Sequence, residues 1–307
     1  MSPFELVVQQ LINGLSLGAI YALIALGYTM VYGIIELINF AHGDVFMVGS
    51  FVALLIAGGL GVTGTVSGPM VAVVMFVILV GSMLATGLLG MLIERAAYRP
   101  LRHAPRLAPL ITAIGVSFIL QNVVQLRAGP SPVSFPDVMP NPVILAGNVI
   151  ISAKQLMIIF VSIAMMAGLQ WFVLKTRLGR AMRATAQDRQ AASLMGININ
   201  STIALTFFIG SALAGAGGFV FGVYYNSVWF INGYIAGLKA FTAAVLGGIG
   251  NIAGAMIGGV LIGLLEALSA QYVSERYVDA IVFAILILVL VFRPSGLLGQ
   301  HLPESAG

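Results

Sequence analysis

The chain has 307 residues, of which 60% are hydrophobic and only 8% are charged, and its mean hydropathy is +1.05. This composition excludes an ordinary soluble domain, which is about half apolar and about a quarter charged. The formal net charge is only +4, and its basic residues lie in short loops between apolar runs, so no basic face for nucleic acid is expected. The absence of cysteine excludes disulfides and thiol chemistry.

Six segments are long and apolar enough to cross a bilayer, which takes about 20 apolar residues per helix. In chain order they cover residues 9–32, 69–93, 107–126, 155–174, 202–224 and 278–292. Two further apolar segments are interrupted: 34–57 at Glu36, Asn39 and residues 41–44, and 238–268 at residues 247–251. Each of these is either a broken or re-entrant helix, or one ordinary span with tolerated glycines. The sequence therefore predicts an all-α polytopic membrane protein with about eight transmembrane or re-entrant segments, forming a single domain over residues 1–307.

Two arginine-rich loops orient the chain. One loop holds Arg95, Arg99, Arg102 and Arg106, and the other holds Lys175, Arg177, Arg180, Arg183 and Arg189. Because cytoplasmic loops collect Lys and Arg, both loops are expected on the cytoplasmic side. The proline-rich stretch 129–142 is then external, and Arg293 after the last span predicts a cytoplasmic C-terminus. The side of the N-terminus stays open, since no basic residue precedes Arg95.

An internal two-fold repeat is possible. Residues 12–33 resemble residues 197–218 in their small side chains, and each stretch is followed by an interrupted apolar segment and then a clean span. Transporters built from two such halves place the substrate near the broken helices.

Residues 175–200 form a polar segment in an otherwise apolar chain. Good helix formers without proline run from Gly179 to Leu194, which predicts one helix that Gly196 caps at its C-terminal end. Ala184, Gln187, Ala191 and Leu194 would share one face of that helix. Small residues with a few charges favour docking into a protein groove over lying on lipid. The alternative is a solvated connector that carries the arginines of a cytoplasmic loop.

Several motifs connect this segment to a known family. The stretch "QAASLMG" places Gln190, Ala191 and Ala192 three residues before Gly196, which is similar to the "EAA" loop of importer permeases. Residues 13–34, 38–44 ("INFAHGD"), 94–102 and 239–259 add further motifs in the same order. With them the chain resembles the LivH-type permease subunits of branched-chain amino acid ATP-binding-cassette importers over nearly its whole length. Gln190 stands where the general loop has Glu, and the trailing Ile-x-Leu-Pro is missing.

The resemblance implies a set of partners in the bacterial inner membrane. These are a second homologous permease, two cytoplasmic ATPase subunits, a periplasmic amino-acid-binding protein and the surrounding lipid. It also implies that an ATPase subunit contacts Arg183, Ala186, Asp188, Gln190, Ala191, Ala192 and Gly196. ATP and Mg²⁺ would be bound by the partners and no cofactor by this chain. The chain is not expected to be an enzyme, because none of its three lysines follows a glycine and the ATP-binding G-x4-G-K-[ST] motif is therefore missing.

Two interrupted segments supply candidate residues for the translocation pathway. Asn39, His42 and Asp44 either line a polar cavity or form a loop that caps the next helix. No metal site is expected there, since two ligands without a third are weak evidence.

The second interruption holds Gly247, Gly248, Gly250 and Asn251, which either expose backbone groups to a substrate or only allow close helix packing. Glu266 is a further pathway candidate, and Lys239 is expected as an anchor at the membrane boundary.

The predicted function is thus the permease subunit of an ATP-driven importer for branched-chain or other neutral amino acids. A permease for urea or short amides is an alternative. An ion-coupled secondary transporter is another, although it would not need a docking helix at residues 183–196.

Overall fold

The computed structural model describes residues 2–102, 104–105 and 107–299, and eleven α-helices form most of this part of the chain. They are α1 (Pro3–Ile35), α2 (His42–Gly59), α3 (Met70–Ile93), α4 (Leu107–Ala128), α5 (Ala153–Lys175), α6 (Arg177–Gln187), α7 (Arg189–Leu194), α8 (Ile199–Tyr225), α9 (Asn232–Gly247), α10 (Ile252–Tyr272) and α11 (Val278–Phe292). Seven of the described helices are long and apolar enough to cross a membrane. The prediction of an all-α polytopic membrane protein is therefore confirmed. Arg106 of the first arginine-rich loop lies outside the described residues.

One end of the bundle carries the short strands, and we call it the hairpin end. β2 (Val143–Ala146) and β3 (Val149–Ser152) form an antiparallel hairpin, while β1 (Val133–Ser134) pairs with β4 (Ser227–Val228). Lys154 lies 2.6 Å from Asp137 and donates a hydrogen bond of 2.7 Å to the side chain of Asn226. The hydrogen bond from Lys154 holds the pKa of the Asp137 carboxyl below its usual range. These contacts tie the proline-rich stretch to the ends of α5 and α8.

The opposite end, which we call the arginine-rich end, holds α6, α7 and the continuation of α3. That helix runs on as a π-helix (Glu94–Tyr98) and a 3-10 turn (Arg99–Leu101). α1 begins at the hairpin end, where Gln9 exchanges two hydrogen bonds with the backbone of Ile150, and it ends at the arginine-rich end, where Arg189 donates to the carbonyl of Ile34. The N-terminus and the arginine-rich loops therefore lie at opposite ends of the bundle.

The interrupted helices α2 and α9 begin inside the bundle. α1 ends at Glu36 with a φ of 58° and α8 ends at Asn226 with a φ of 52°, the left-handed conformation that commonly terminates helices. A short connection leads from α1 to α2, and another leads from α8 to α9. The first turns of α2 and α9 lie next to each other. A Cβ built on Gly43 of α2 would lie 2.8 Å from the Cα of Gly237 of α9, so the two backbones are in contact.

The two halves of the chain have the same helix order in opposite directions. α1 packs most extensively against α10, and α3 packs most extensively against α8. The first helix of each half therefore packs against the third helix of the other half. Glycines allow this proximity: a Cβ on Gly18 of α1 would lie 2.7 Å from the Cα of Val260 in α10. The order of elements is that of an inverted repeat, as found in many transporters.

The sequence misplaced the interruptions in part. The first break covers residues 36–41 and includes Glu36 and Asn39 as predicted, whereas His42–Asp44 already belong to α2. The break at residues 247–251 is present, but a further one at residues 226–231 precedes α9. That second break was missed because it falls in the gap between two predicted spans and looked like an ordinary loop.

Candidate functional site

The polar segment at the arginine-rich end consists of two helices. Asp188, with a φ of −156° and a ψ of 111°, separates α6 from α7, and its Oδ1 accepts hydrogen bonds from the N–H groups of Gln190 at 2.8 Å and Ala191 at 3.0 Å. The prediction of a single helix over residues 179–194 was therefore wrong, because Asp188 acts as an N-cap and starts a new helix. Ala191 and Leu194 do not continue the face of α6.

Gly196 ends α7 as the sequence predicts. Its φ is 83°, its N–H donates to the carbonyl of Ser193, and the N–H of Ile197 donates to the carbonyl of Ala192. These two bonds form the Schellman arrangement, in which a residue of positive φ satisfies the last carbonyls of a helix.

The predicted coupling residues divide into an inner and an outer set. Arg183 is exposed but donates to the carbonyl of Val173 in α5, Ala192 is buried, and Ala186 lines a cavity of about 370 Å³ that also contacts Glu36 and Arg102. The outer set is exposed at the arginine-rich end: Asp188, Gln190, Ala191 and Gly196. The inner residues therefore hold the segment to the bundle, and the outer ones are available to a partner.

An apolar tip, formed by Leu194 and Met195, closes this segment. Leu194 is 88% exposed and Met195 is 83% exposed, although both lie in the most polar part of the chain. Neither residue is among the predicted coupling residues, although Leu194 was predicted on the small-residue face of the helix. Exposed apolar side chains surrounded by polar ones are typical of a protein-binding surface.

A cleft of about 640 Å³, which we call the central cavity, lies between α4 and α9 where α2 and α9 begin, and it is open to the surface of this chain at Ile114, Phe118 and Tyr234. It is lined by Tyr28, Phe40, Ile114, Ser117, Phe118, Gln121, Phe230, Ile231, Gly233, Tyr234, Gly237 and Leu238. The lining is mainly apolar with a few hydroxyl and amide groups, as is common for pockets that take small molecules.

Asp44 lies directly behind the wall of the central cavity. Ser117 and Gln121 of α4 both donate hydrogen bonds to its carboxylate, the latter at 3.0 Å. A Cβ built on Gly233 of α9 would lie 2.9 Å from Asp44 Oδ1. The carboxylate thus joins α2, α4 and the first turn of α9.

Asn39 and His42 lie near Asp44 but do not line the cavity. Asn39 accepts hydrogen bonds from the N–H of Ala41 at 3.1 Å and from the hydroxyl of Tyr98 at 2.8 Å. His42 is fully buried, its ring lies 4.7 Å from that of Tyr28, and its nitrogens have no hydrogen-bond partner among the described residues. Both residues position the start of α2.

The glycine-rich turn between α9 and α10 lies at the arginine-rich end, away from the central cavity. The N–H groups of Leu297 and Leu298 donate to the carbonyls of Leu246 and Gly247, at 2.8 and 3.0 Å. Asn251 caps α10 and donates to the carbonyl of Leu298. The structure therefore places Gly247, Gly248, Gly250 and Asn251 against the C-terminal stretch and does not bring them to Asp44.

Glu266 belongs to a third group, a cluster of charges between four helices. Lys239 Nζ lies 2.8 Å from carboxylate oxygens of both Glu266 and Asp279, and the hydroxyl of Tyr21 donates to Glu266 at 2.8 Å. The side chain of Lys239 is only 7% exposed. Its predicted role as a boundary anchor with a snorkelling stem was wrong, because the ammonium is buried and pairs with Glu266 and with the more exposed Asp279.

Sequence reasoning missed the aromatic lining of the cavity. Phe40 stands two residues before α2, and Phe230 stands two residues before α9. These equivalent places in the two halves bring both rings to the same cavity. An alignment of the repeats on their interruptions would have pointed to this pair.

Comparison with known proteins gives a consistent result. The family model described as "Branched-chain amino acid transport system / permease component" matches residues 10–290. The high-affinity branched-chain amino acid transport system permease protein BraD of Pseudomonas aeruginosa is 48% identical, over 95% of this chain and 95% of the relative. The corresponding LivH protein of Escherichia coli K12 is 47% identical over the same shares. A probable LivH permease of Methanocaldococcus jannaschii is 29% identical over 90% of this chain and 88% of the relative.

Proposed function

Because the chain belongs to the permease family of branched-chain amino acid transport systems, we propose that it provides the membrane passage of an ATP-driven importer. The central cavity is the observation that carries this proposal. It lies where two interrupted helices begin, and such breaks mark the substrate pathway in many transporters.

The solutes that we propose are branched-chain and other neutral amino acids. The relatives at 47–48% identity are named as transporters of branched-chain amino acids. Phe40, Phe118 and Leu238 offer an apolar wall to an aliphatic side chain, while Ser117 and Gln121 offer hydrogen bonds. Because this cavity has so few polar groups, it fits an aliphatic solute better than urea or a short amide.

The proposed orientation follows from the arginines. Lys and Arg collect on the cytoplasmic side, so the arginine-rich end faces the cytoplasm of a bacterial inner membrane and the hairpin end faces the periplasm. The N-terminus is then periplasmic, and the chain after α11 is cytoplasmic. A periplasmic binding protein would deliver the amino acid at the hairpin end, and a second permease would complete the passage.

ATP hydrolysis is assigned to two cytoplasmic subunits that dock on the coupling segment. The exposed set Asp188, Gln190, Ala191 and Gly196 and the apolar tip Leu194–Met195 form the docking surface. Arg189, which holds α7 to the end of α1, would pass the movement of the ATPase to the bundle. The affinity of the purified ATPase for the Gln190→Glu variant tests whether Gln190 in place of Glu alters the contact.

Reconstitution in liposomes tests the proposal. We expect uptake of labelled leucine only when the second permease, both ATPase subunits, the binding protein and ATP are present. Uptake by this chain alone, driven by a pH or sodium gradient, would instead make it a secondary transporter.

Serine substitutions at Leu194 and Met195 are expected to weaken ATPase binding about tenfold, since less apolar surface is then removed from water when the ATPase binds. The affinity of the purified ATPase for the detergent-solubilised permease measures this loss of binding. Leu178→Ser is the matched control, because Leu178 is also exposed at the arginine-rich end but lies on α6. Equal losses in both variants would rule out the tip as a docking contact.

A further inference from the structure

Asp44 lies between the N-terminal ends of two helices that meet inside the bundle. It belongs to the first turn of α2, and its carboxylate touches the first turn of α9 at Gly233. Gly43 and Gly233 bring the two ends into backbone contact: a Cβ on Gly233 would lie 2.6 Å from the carbonyl oxygen of Gly43.

Two helix N-termini at one place create a positive field. Each carries the equivalent of about half a positive charge, so the pair is offset by about one carboxylate. No residue that lines the central cavity is charged within the described part of the chain. Lys239, the next residue after the lining Leu238, is paired with Glu266 and Asp279. Asp44 is therefore the charge that balances the helix ends beside the cavity.

We propose that Asp44 sets the charge preference of the central cavity. Its carboxylate cancels the positive field of the two helix N-termini, which would otherwise attract anions, so the cavity has no electrostatic preference for an anionic solute over a neutral one. This inference rests on the proposed passage of amino acids through the cavity, and it assigns the residue that discriminates by charge.

A structural role for Asp44 makes a different prediction. The hydrogen bonds from Ser117 and Gln121 link α4 to α2, and their loss would loosen the cavity for every solute. Charge selectivity instead changes the ratio between solutes of one shape and different charge. That ratio is the quantity to measure.

Three probes that share the 3-methylbutyl group of leucine provide the test: leucine, 3-methylbutylamine and 4-methylpentanoate. Their binding to the purified transporter complex, without nucleotide or binding protein, is measured by competition with labelled leucine. In Asp44→Asn we expect the carboxylate to bind about tenfold tighter and the amine about tenfold weaker, because one charge near the site is lost. Glu275→Gln, which removes an exposed acid between α10 and α11, should leave all three constants unchanged.

A second variant removes one link to α4 while keeping the charge of Asp44. Ser117→Ala deletes one hydrogen bond to the carboxylate and adds no charge to the cavity wall. We expect the ratio between the carboxylate and amine probes to stay at its wild-type value in this variant. If Asp44 only ties α4 to α2, Ser117→Ala and Asp44→Asn change the probe constants alike, and that result overturns the inference.

The outcomes separate this inference from the proposed function. If the wild-type complex binds leucine and Asp44→Asn leaves the ratios between the probe constants unchanged, Asp44 does not set the charge preference. The proposed passage of amino acids then still stands. If Asp44→Asn weakens the binding of all three probes equally, Asp44 has a structural role alone, and this result also overturns the inference. A wild-type complex that binds none of the probes contradicts the proposed substrate class, and the charge role with it.

Discussion

Replacing Lys239 by methionine is expected to lower the free energy of unfolding by about 3 kcal/mol, the lower part of the range for breaking a buried ion pair. The substitution keeps the apolar stem but removes the ammonium between Glu266 and Asp279. Glu266, whose side chain is 16% exposed, then keeps its charge inside the bundle without a cation. Asp279 is more accessible, with 60% exposure, so most of the cost comes from Glu266. Thermal unfolding of the detergent-solubilised chain measures the change.

Two further variants make this prediction specific. Lys175→Met removes an exposed lysine at the end of α5 and should cost less than about 1 kcal/mol, as expected for a surface charge near a helix C-terminus. Adding Glu266→Gln to Lys239→Met should recover part of the loss, because the unpaired carboxylate is then removed. A double variant that is less stable than Lys239→Met would show that the charge pairing is not the cause.

Replacing Gly43 by alanine is expected to destabilise the bundle by about 1–3 kcal/mol through overpacking. The added methyl group would lie 2.8 Å from the Cα of Gly237 and closer still to the carbonyl of Gly233, both backbone atoms that cannot rotate away. α2 and α9 must then separate, which changes the shape of the central cavity. We therefore also expect most of the leucine uptake in reconstituted liposomes to be lost.

Gly58→Ala is the matched control for this substitution. Gly58 lies in the same helix, but a Cβ built on it meets nothing within 4 Å. Because alanine favours a helix by about 1 kcal/mol over glycine, this variant should be unchanged or slightly more stable. Equal uptake by the Gly43 and Gly58 variants would show that contact between the two helix ends is not needed.

Local sequence signals predicted the coupling segment well at its end and poorly in its middle. Gly196 ends α7 because a positive φ there suits glycine, and that requirement is visible from the residue itself. Asp188 could be a helical residue or a cap, and the sequence around it has no proline or glycine to decide between them. Its two hydrogen bonds to the backbone of α7 decide for the cap. Capping by aspartate competes with helix continuation, so composition alone cannot place the break.

The sequence by itself determined the class of protein, the position of most spans, the arginine-rich end and the resemblance to a permease family. These depend on local hydropathy, on charge in short loops and on contiguous motifs, all of which are readable along the chain. Tertiary structure alone decided the central cavity, the place of Asp44 behind its wall and the pairing of Lys239 with Glu266. Each of these joins residues of different helices, as Asp44 with Gln121 or Tyr21 with Glu266. Helix periodicity states which face a side chain occupies but not which helix it meets, and glycine contacts between α1 and α10 and between α2 and α9 settle that choice.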